Sequence, residues 1–430
     1  MISQEANLLN KIIKNKSNCI YSLLSKKGKK IYLPKKGVPS QGEESKQTKL
    51  NATIGISLYD DKSLMKLNSI KKMIDLDSNE ILNYSKIQGD LKLRTKWKEL
   101  MIKKNPSIKE KISLPIVSVG LTHGLFVISN LFLNENDSII IPNPYWENYD
   151  LMFETLNNVN IKKFNLFNKN NSFNIEGLKK ELNKTKKPII LFNFPNNPTG
   201  YSLNNEEIKK ITNLLKKTAK EKKIIIIFDD AYFGFVYEKN ISRESLFSKL
   251  HNLDKNILCI KLDATTKEDF VWGFRIGFIT YGIKNGNEKL YSALEQKTSG
   301  IIRSTVSNPP TISQSLIYKG LTSKNYEKEK EKNYNILKER YNEVKKIIKN
   351  KKYKNYFHTL PFNSGYFVCI KLNNINTEKL RKELIKNYST GVISKKDYIR
   401  IAYSSLNKKE IKKVFENIYN VCKEIKDNKK

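Results

Sequence analysis

The sequence predicts an α/β protein with a mainly parallel sheet covered by helices on both faces, and two observations carry this prediction. The middle of the chain alternates short apolar runs with amphipathic stretches, as expected for strands buried on both faces and helices packed over them. The chain also has 430 residues, which is enough for about two or three domains. We therefore expect one large domain built on the sheet and at least one smaller unit.

Six short apolar runs are the candidate strands of this sheet, at residues 116–119, 138–141, 189–192, 224–228, 257–262 and 275–281. Between them, Asn204 and Glu207 have the spacing of a capping box, and Ile208, Ile211 and Leu215 then recur at helical spacing. Strands that alternate with such helices predict parallel strands joined by helical crossovers.

The last part of the chain predicts a second, smaller α+β domain. A highly charged helix is expected at 324–349, followed by strands at 366–372 and 398–403 and a final amphipathic helix. We divide the chain into an N-terminal segment that packs with the small domain, a large domain and the small C-terminal domain, at 1–70, 71–322 and 323–430. The first ~50 residues are polar and are expected to need the rest of the protein for their order.

The net charge of +36 raises the alternative of a nucleic-acid-binding protein, because a basic surface neutralises phosphates. The distribution of the charge argues against it. Lysines are spread along the whole chain, and short clusters such as 26–30 are separated by neutral and acidic residues instead of forming one stripe with interleaved aromatics. We interpret the excess as a solvated surface and expect no nucleic-acid partner.

Neither a membrane protein nor a disulfide-rich or metal-binding protein is indicated. No apolar run approaches the ~18 residues of a membrane span, and the N-terminus lacks the apolar stretch of a signal peptide. The four cysteines, Cys19, Cys259, Cys369 and Cys422, contain no C-x-x-C pair, so they predict neither a disulfide framework nor a metal site. We expect a cytoplasmic protein with reduced thiols.

Arginine is rare in this chain, and its positions are therefore informative. Only seven arginines are present among the 79 basic residues. Where lysine supplies almost every surface charge, an arginine is expected where a planar fork must bind a carboxylate or phosphate. Four of the seven, Arg94, Arg275, Arg303 and Arg400, fall inside the motifs described next.

Lys267, Arg275 and Asp229 form the central hypothesis about function. Asp229 ends an apolar strand, and Lys267 lies just beyond the next strand, eight residues before Arg275. Burial at a strand end lowers the pKa of an amine and makes it nucleophilic. A lysine that forms a Schiff base, an arginine that binds phosphate and a carboxylate that pairs with a pyridinium nitrogen are the minimum needed to hold pyridoxal phosphate. Taken alone, Lys267 is also consistent with an ordinary surface lysine, and Asp229 with an aspartate that caps the turn after a strand.

Further residues extend this hypothesis. Asn197 follows another apolar strand, and its amide and the Tyr232 hydroxyl are expected to bond the cofactor's ring oxygen, although Asn-Pro-Thr-Gly is also an ordinary turn. Leu121 and Thr122 follow a strand and begin an apolar helix, where free backbone N–H groups form an anion site. Trp146 is either core or the flat ring that stacks on the cofactor.

In order and spacing, these motifs resemble those of the class I/II aminotransferases of fold type I, the aspartate aminotransferase superfamily of pyridoxal-phosphate enzymes. The resemblance runs from about Asn51 to Leu406, most of the chain. It implies a seven-stranded, mainly parallel sheet in the large, cofactor-binding domain, and a smaller α+β domain. It also implies the roles proposed above for Lys267, Asp229, Asn197, Tyr232, Arg275, Trp146, Leu121 and Thr122.

Three more roles follow from the resemblance. Tyr84, in the spacing Tyr84-x4-Gly89-x4-Arg94, resembles the tyrosine that reaches the phosphate in the neighbouring subunit, which implies a homodimer with shared sites. Arg400 resembles the arginine that binds the substrate's α-carboxylate, and Gly55 resembles a glycine that lines the same pocket.

The chain departs from the family pattern at two places. The family commonly has Ser-x-Ser-Lys at the lysine, whereas this chain has Ala264-Thr265-Thr266-Lys267, so a phosphate bond is lost or moved to a threonine. Arg303 occupies the place where enzymes acting on dicarboxylates carry an arginine for the distal carboxylate, but Ser304 replaces the proline often found beside it. Dicarboxylate specificity is therefore left open.

The resemblance implies an aminotransferase of amino-acid metabolism and biosynthesis that moves an amino group from an L-amino acid to a 2-oxo acid by a ping-pong mechanism. Aspartate, glutamate or an aromatic amino acid is the favoured donor. Relatives of the same fold carry out C–S or β-elimination on nearly the same residues, so a lyase is the alternative.

Overall fold

The computed structural model describes residues 3–32, 37–74 and 76–427, so the predicted N-terminal and C-terminal segments have their first two and last three residues outside the described part. The polar N-terminal segment, for which no elements were predicted, contains several short helices. Its elements are α1 Gln4–Lys16, α2 Asn18–Leu23, α3 Lys26–Lys30, α4 Val38–Glu44, β1 Leu50–Asn51 and, at its end, α5 Asn68–Lys71, and α6 Ser78–Ile81 follows just after it. Serine side chains cap each of the first three helices.

The centre of the chain forms the seven-stranded sheet. Its strands are β2 Ile116–Ser118, β3 Ser138–Asn143, β4 Asn160–Asn165, β5 Ile189–Asn193, β6 Ile224–Asp229, β7 Ile257–Ala264 and β8 Gly277–Gly282. The helices of this part are α7 Leu91–Lys104, α8 Gly120–Phe132, α9 Ile175–Lys184, α10 Asn205–Thr218, α11 Leu246–Leu250, α12 Thr265–Glu268, α13 Glu288–Val306 and α14 Thr311–Thr322, with a π-helical turn at Asp150–Leu156.

The strand order is β2-β8-β7-β6-β5-β3-β4. Strand β8 runs antiparallel to both of its neighbours, and the other pairs are parallel, so the predicted mainly parallel sheet is confirmed. Strand β4 was not predicted, because this edge strand carries Lys162 and Lys163 and has no apolar run. The predicted strand at 275–281 begins instead at Gly277, because Arg275 has a left-handed backbone with φ 55°.

The sheet is buried on both faces. Along β3, Ile139 and Ile141 belong to one hydrophobic core, whereas Ile140 belongs to a second core on the opposite face. The same alternation continues in β5 and β6, as the two-residue period of a strand requires. Two apolar faces covered by helices explain why these strands read as continuous apolar runs.

The C-terminal part builds a four-stranded antiparallel sheet with the order β12-β13-β10-β9. Its elements are α15 Tyr326–Ile347, β9 Phe357–Thr359, β10 Phe367–Leu372, α16 Thr377–Tyr388, β11 Thr390–Gly391, β12 Ile393–Ser394, β13 Ile399–Ala402 and α17 Lys408–Asp427. The predicted long helix, the two longer strands and the final helix are all present, with ends shifted by one or two residues. Strand β1 pairs in parallel with β11 in a separate two-stranded sheet, which attaches the N-terminal segment to the C-terminal part of the chain.

Two further features concern the chain as a whole. Each helix of the described ranges is too short or too polar to span a bilayer. Three of the free cysteines, Cys259, Cys369 and Cys422, are buried, and Cys19 is exposed.

Candidate active site

A cavity lies at the carboxyl ends of the parallel strands, where open α/β sheets bind ligands. It brings together eight of the residues singled out from the sequence: Leu121, Thr122, Trp146, Asn197, Asp229, Tyr232, Lys267 and Arg275. Four further residues complete its lining, namely Tyr149, Asn193, Ala231 and Thr266. Residues far apart in the sequence thus converge on one cavity because each follows a strand or begins a helix at the same edge of the sheet.

Asp229 lies at the floor of this cavity as the last residue of β6, and its side chain is buried. The Tyr149 hydroxyl donates to Oδ2 at 2.6 Å, the Asn193 amide donates to Oδ1 at 3.3 Å and the Ala231 N–H donates to Oδ1 at 3.1 Å. Burial raises the pKa of Asp229, whereas these donors and the Lys267 ammonium lower it. A carboxylate held in this way is suited to pair with a buried cation.

Sequence reasoning missed Tyr149 and Asn193. Asn193 ends β5 directly beside Asp229, and its amide oxygen accepts the Asn197 N–H at 2.8 Å, so it links the two predicted residues. Its position at a strand end was a usable signal. Tyr149 approaches Asp229 because the chain turns into the π-helical segment after Trp146, and no sequence pattern indicates that contact.

Lys267 lies on α12, the single turn that follows β7, and its Nζ lies 5.0 Å from the centroid of the Tyr232 ring. Burial lowers the pKa of the Lys267 amine, the Asp229 carboxylate raises it and the Arg275 guanidinium lowers it again. A lowered pKa increases the fraction of free amine at neutral pH, which is the nucleophilic form. The geometry therefore supplies an activated amine facing a buried carboxylate.

The helix α8 and Arg275 together form a cradle for an anion. A Cβ at Gly120, where φ is +75°, would lie 2.6 Å from an Arg275 guanidinium nitrogen. A Cβ at Gly277 would lie 2.7 Å from the Gly120 backbone, so the start of β8 packs tightly on the start of α8. The guanidinium thus lies beside the helix N-terminus, where free N–H groups and the helix dipole both favour negative charge.

The two threonines before Lys267 have different surroundings. Thr265 is fully buried, and its hydroxyl donates to the Ile276 carbonyl at 3.3 Å. Thr266 lines the cavity. This chain has Ala264 at a position where the family has a serine. Of the two threonines that follow, Thr266 is the one at the cavity, so its hydroxyl is the candidate to replace that serine.

Arg400 is 5% exposed and lies beside the cavity. Its guanidinium donates to Asn197 Oδ1 at 3.2 Å and to the Thr53 carbonyl at 2.8 Å, and it lies 4.4 Å from the centroid of the Phe367 ring. Its Nε has no hydrogen-bond partner, and no carboxylate within the described ranges forms an ion pair with it. A buried guanidinium with an unused donor indicates a site for an anion.

Gly55 lies where the site needs a small residue. A Cβ there would lie 2.8 Å from the Phe367 ring and 3.4 Å from the Tyr232 hydroxyl. Any larger residue would therefore push against the aromatic ring that contacts Arg400, and Gly55 itself does not line the cavity.

Tyr84 and Arg303 do not line the cavity of the chain that carries them. The Tyr84 side chain is 93% exposed, and Arg303 is also exposed, with a 2.6 Å hydrogen bond to Ser307. The two residues share one face, because Ser85 is hydrogen-bonded to Asn308 and Pro309.

A comparison with known protein families identifies the family of this chain. The sequence profile described as "Aminotransferase class I and II" matches residues 47–418. The protein belongs to this family. Among curated relatives, the chain is 30% identical over 198 residues to the "Probable aspartate/prephenate aminotransferase" of Aquifex aeolicus, covering 46% of this chain and 48% of that protein. It is 27% identical over 214 residues to the "Aspartate aminotransferase" of Bacillus subtilis, covering 49% of this chain and 50% of that protein.

The chain spans about half the length of these curated relatives. Solved structures match over more of it. An aminotransferase from Anaerococcus prevotii has a TM-score of 0.81 at 24% identity, covering 93% of this chain and 98% of that chain. A kynurenine aminotransferase from Pyrococcus horikoshii has a TM-score of 0.80 at 16% identity, covering 95% and 98%. The predicted fold type I is confirmed.

Proposed function

We propose that this family member is a pyridoxal-phosphate-dependent aminotransferase that moves an amino group from an L-amino acid to a 2-oxo acid. The observation that carries the proposal is the convergence of the Lys267 amine, the buried Asp229 carboxylate and the anion cradle in one cavity. The printed names of its relatives, which include aspartate and aspartate/prephenate aminotransferases, support the same reaction class.

The residues of the cavity fit pyridoxal phosphate along its whole length. We assign the phosphate to Leu121, Thr122, Thr266 and Arg275 at the start of α8, where backbone N–H groups and a guanidinium meet. Trp146 would pack against the ring, Asp229 would pair with its nitrogen, and Asn197 and Tyr232 would donate to its oxygen. When bound, the cofactor supplies a carbonyl carbon that binds amines and a ring that accepts electron density.

The chain's own groups then perform three tasks. Arg400 binds the substrate's α-carboxylate through the donors left free by its bonds to Asn197 and Thr53. Lys267 holds the cofactor between turnovers and, once free, removes the proton from the substrate's α-carbon as a general base, which its lowered pKa favours. Asp229, as a carboxylate, would pair with the protonated ring nitrogen. The amino group is taken up in one half-reaction and released in the other, as in ping-pong kinetics.

An acidic or an aromatic amino acid is the donor class we favour. The names of relatives support both, since they include aspartate aminotransferases and, among the solved structures, an aromatic aminotransferase from Pyrococcus horikoshii. Arg303 is the residue proposed to meet a distal carboxylate, and it would do so from the exposed face on which it lies.

That exposed face is the basis for proposing a homodimer with shared sites. Around Tyr84 and Arg303 it carries four exposed apolar side chains, Leu82, Leu91, Val306 and Ile312. His123, next to the proposed phosphate ligand Thr122, lies 3.0 Å from Thr305 on α13, so the face adjoins the anion cradle. A second chain docked there covers the apolar patch and brings its Tyr84 and Arg303 near the first chain's cavity.

A role in cytoplasmic amino-acid biosynthesis belongs to the same proposal. It rests on the free, mostly buried cysteines, which suit a reducing compartment, and on the proposed reaction.

The experiment that tests the proposal is a spectroscopic titration of the purified protein reconstituted with pyridoxal phosphate. Aspartate, glutamate, tyrosine, alanine and leucine are added singly. Loss of the absorbance band of the lysine-bound cofactor, reversed by 2-oxoglutarate, is expected for a donor. Lys267→Ala is the control, and it should lack that band. Release of ammonia and pyruvate without amino transfer would instead establish a lyase, and a wild-type protein that binds no cofactor would overturn the proposal.

A further inference from the structure

Helix α8, to whose start we assign the cofactor phosphate, lacks the usual side-chain cap. The residue before its first turn is Val119. Serine, threonine, aspartate and asparagine are preferred at this position, because their side-chain oxygen accepts one of the first N–H groups of the helix. Valine has no such oxygen. The N–H groups of Leu121 and Thr122, two residues of the cavity lining, are therefore left for an anion.

The turn that leads into α8 is held by hydrogen bonds from two neighbouring side chains. Its backbone is neither extended nor helical, since Val119 has a ψ of 70° and Gly120 has a φ of +75°. The Ser118 hydroxyl donates to the Gly120 carbonyl at 3.0 Å. The Val119 N–H donates to Nδ1 of His123, one helical turn further on, at 3.1 Å. His123 thus holds the turn without occupying the N–H groups at the start of the helix.

The hydrogen bonds of His123 define which ring nitrogen carries the proton. Nδ1 accepts the Val119 N–H, so the proton of the neutral imidazole is on Nε2. Nε2 lies 3.0 Å from the Thr305 hydroxyl oxygen and donates to it, because that hydroxyl itself donates to the Ile301 carbonyl at 2.8 Å. Burial lowers the pKa of His123, which favours this neutral form. One ring therefore contacts both the start of α8 and the helix α13.

We propose that His123 is a positioning residue for the cofactor phosphate, because its Nδ1 holds the Val119 turn in the shape that presents the first N–H groups of α8. His123 acts through the backbone, since its side chain does not line the cavity. The inference rests on the cofactor proposed above and extends it to a residue outside the cavity. A histidine that only joined α8 to α13 would have no specific effect on phosphate binding.

Two variants separate the two hydrogen bonds of His123. The side-chain oxygen of asparagine takes the place of Nδ1, so His123→Asn keeps an acceptor for the Val119 N–H and loses the bond to Thr305. The side-chain nitrogen of glutamine takes the place of Nε2, so His123→Gln keeps the donor to Thr305 and loses that acceptor. Dissociation constants are measured for pyridoxal phosphate, for inorganic phosphate and for pyridoxal, which lacks the phosphate. Melting temperatures of the cofactor-free proteins control for folding.

His123→Gln is expected to bind pyridoxal phosphate and inorganic phosphate about three- to tenfold more weakly than wild type, the usual contribution of one neutral hydrogen bond. Its affinity for pyridoxal should change by less than about twofold, because that ligand does not use the cradle. His123→Asn should stay within about twofold of wild type for all three ligands.

A loss in His123→Asn that equals or exceeds the loss in His123→Gln would overturn the proposal, since the contact with Thr305 would then be the important one. A glutamine variant that binds phosphate like wild type would also overturn it. The same holds if pyridoxal and pyridoxal phosphate are weakened equally, because that result indicates a general defect of the fold.

A measurement on wild type needs no variant to fold. Nitrogen NMR of the protein labelled in its three histidines should show His123 with a protonated Nε2 and an unprotonated Nδ1 at neutral pH. A protonated Nδ1 would overturn the proposal. A wild-type protein that binds phosphate but not pyridoxal phosphate would overturn the proposed function, while the phosphate titrations still test His123. A protein that binds neither ligand would overturn both.

Discussion

At the scale of single residues, Asp229 depends on neighbours that are not charged. The Tyr149 hydroxyl is one of its nearest donors, and this bond lowers the pKa of a carboxyl group whose burial raises it. Which form of Asp229 dominates at neutral pH is thus decided by hydrogen bonds as well as by ions.

We expect Tyr149→Phe to weaken cofactor binding by about ten- to a hundredfold, the usual cost of one hydrogen bond to a charged group. Loss of the donor raises the pKa of Asp229, so the defect should be larger at pH 6 than at pH 8. Cofactor titration at both values measures it. Tyr145→Phe is the matched control, because that hydroxyl bonds Asp150 instead. Similar losses in both variants would contradict the role of Tyr149.

Gly120 provides a second test at this scale. Gly120→Ala places a Cβ against the Arg275 guanidinium and also strains a left-handed backbone, so cofactor affinity should fall by about tenfold or more. Gly124→Ala in the same helix is the control, since its Cβ has ordinary to slightly tight contacts and the position is helical. Phosphate and cofactor titrations of both variants, with melting temperatures, distinguish a damaged cradle from a damaged fold.

The sequence alone predicts the residues that carry chemistry, because lysine, aspartate and arginine at strand ends follow directly from pattern. It does not predict Tyr149, since that contact depends on how the chain turns after Trp146. It also misplaces Arg275 in a strand, because a left-handed φ at a non-glycine residue has no sequence signature. The sequence does not show which residues contact each of these side chains in the folded protein.

At the scale of elements, the short helix that carries Lys267 is fastened to two longer ones. Glu268 contacts Lys104 on α7 and lies 2.9 Å from Lys330 on α15, and Asp269 lies 3.2 Å from Lys330. The Tyr326 hydroxyl donates to Asp269 at 2.6 Å. Buried carboxylates and partly exposed lysines thus hold the turn that carries Lys267.

We expect Lys330→Met to lower the free energy of unfolding by about 3 kcal/mol, because it leaves the buried Asp269 carboxylate without a cation, whereas Glu268 keeps its contact with Lys104. Lys345→Met on the same helix removes an ion pair that is more than one-third exposed, to Glu238, and should cost less than about 1 kcal/mol. Urea denaturation of both variants measures the difference. Comparable losses would show that the Lys330 group contributes no more than a surface pair.

The elements themselves were predictable to different degrees. Strands buried on both faces read as apolar runs and were found, whereas β4 at the sheet edge and the three-residue β9 were not. Lysines on an edge strand hinder its pairing with another chain, so such a strand has no apolar run. A three-residue strand is formed by its hydrogen bonds to the neighbouring strand and has no pattern of its own. Sequence patterns therefore predict the central strands of a sheet better than its edge strands.

At the scale of the whole molecule, the proposed dimer gives a direct prediction. Wild type is expected to sediment at twice the 50.0 kDa mass of the chain, and Leu82→Glu, at a side chain 80% exposed in one chain, should shift it towards the monomer. Leu64→Glu, at another exposed leucine outside that face, is the control. Sedimentation velocity at several concentrations measures both. A wild-type monomer at all concentrations would contradict the shared site.

The hydrogen bond between Arg400 and Asn197 joins the small sheet to the turn that follows β5. In the assignment above, one of these residues binds the substrate's carboxylate and the other binds the cofactor. Two ligands that meet on one bonded pair are thermodynamically linked, and such linkage is reciprocal. A simple carboxylic acid that occupies Arg400 should therefore change the dissociation constant of the cofactor, and bound cofactor should change the dissociation constant of that acid by the same factor.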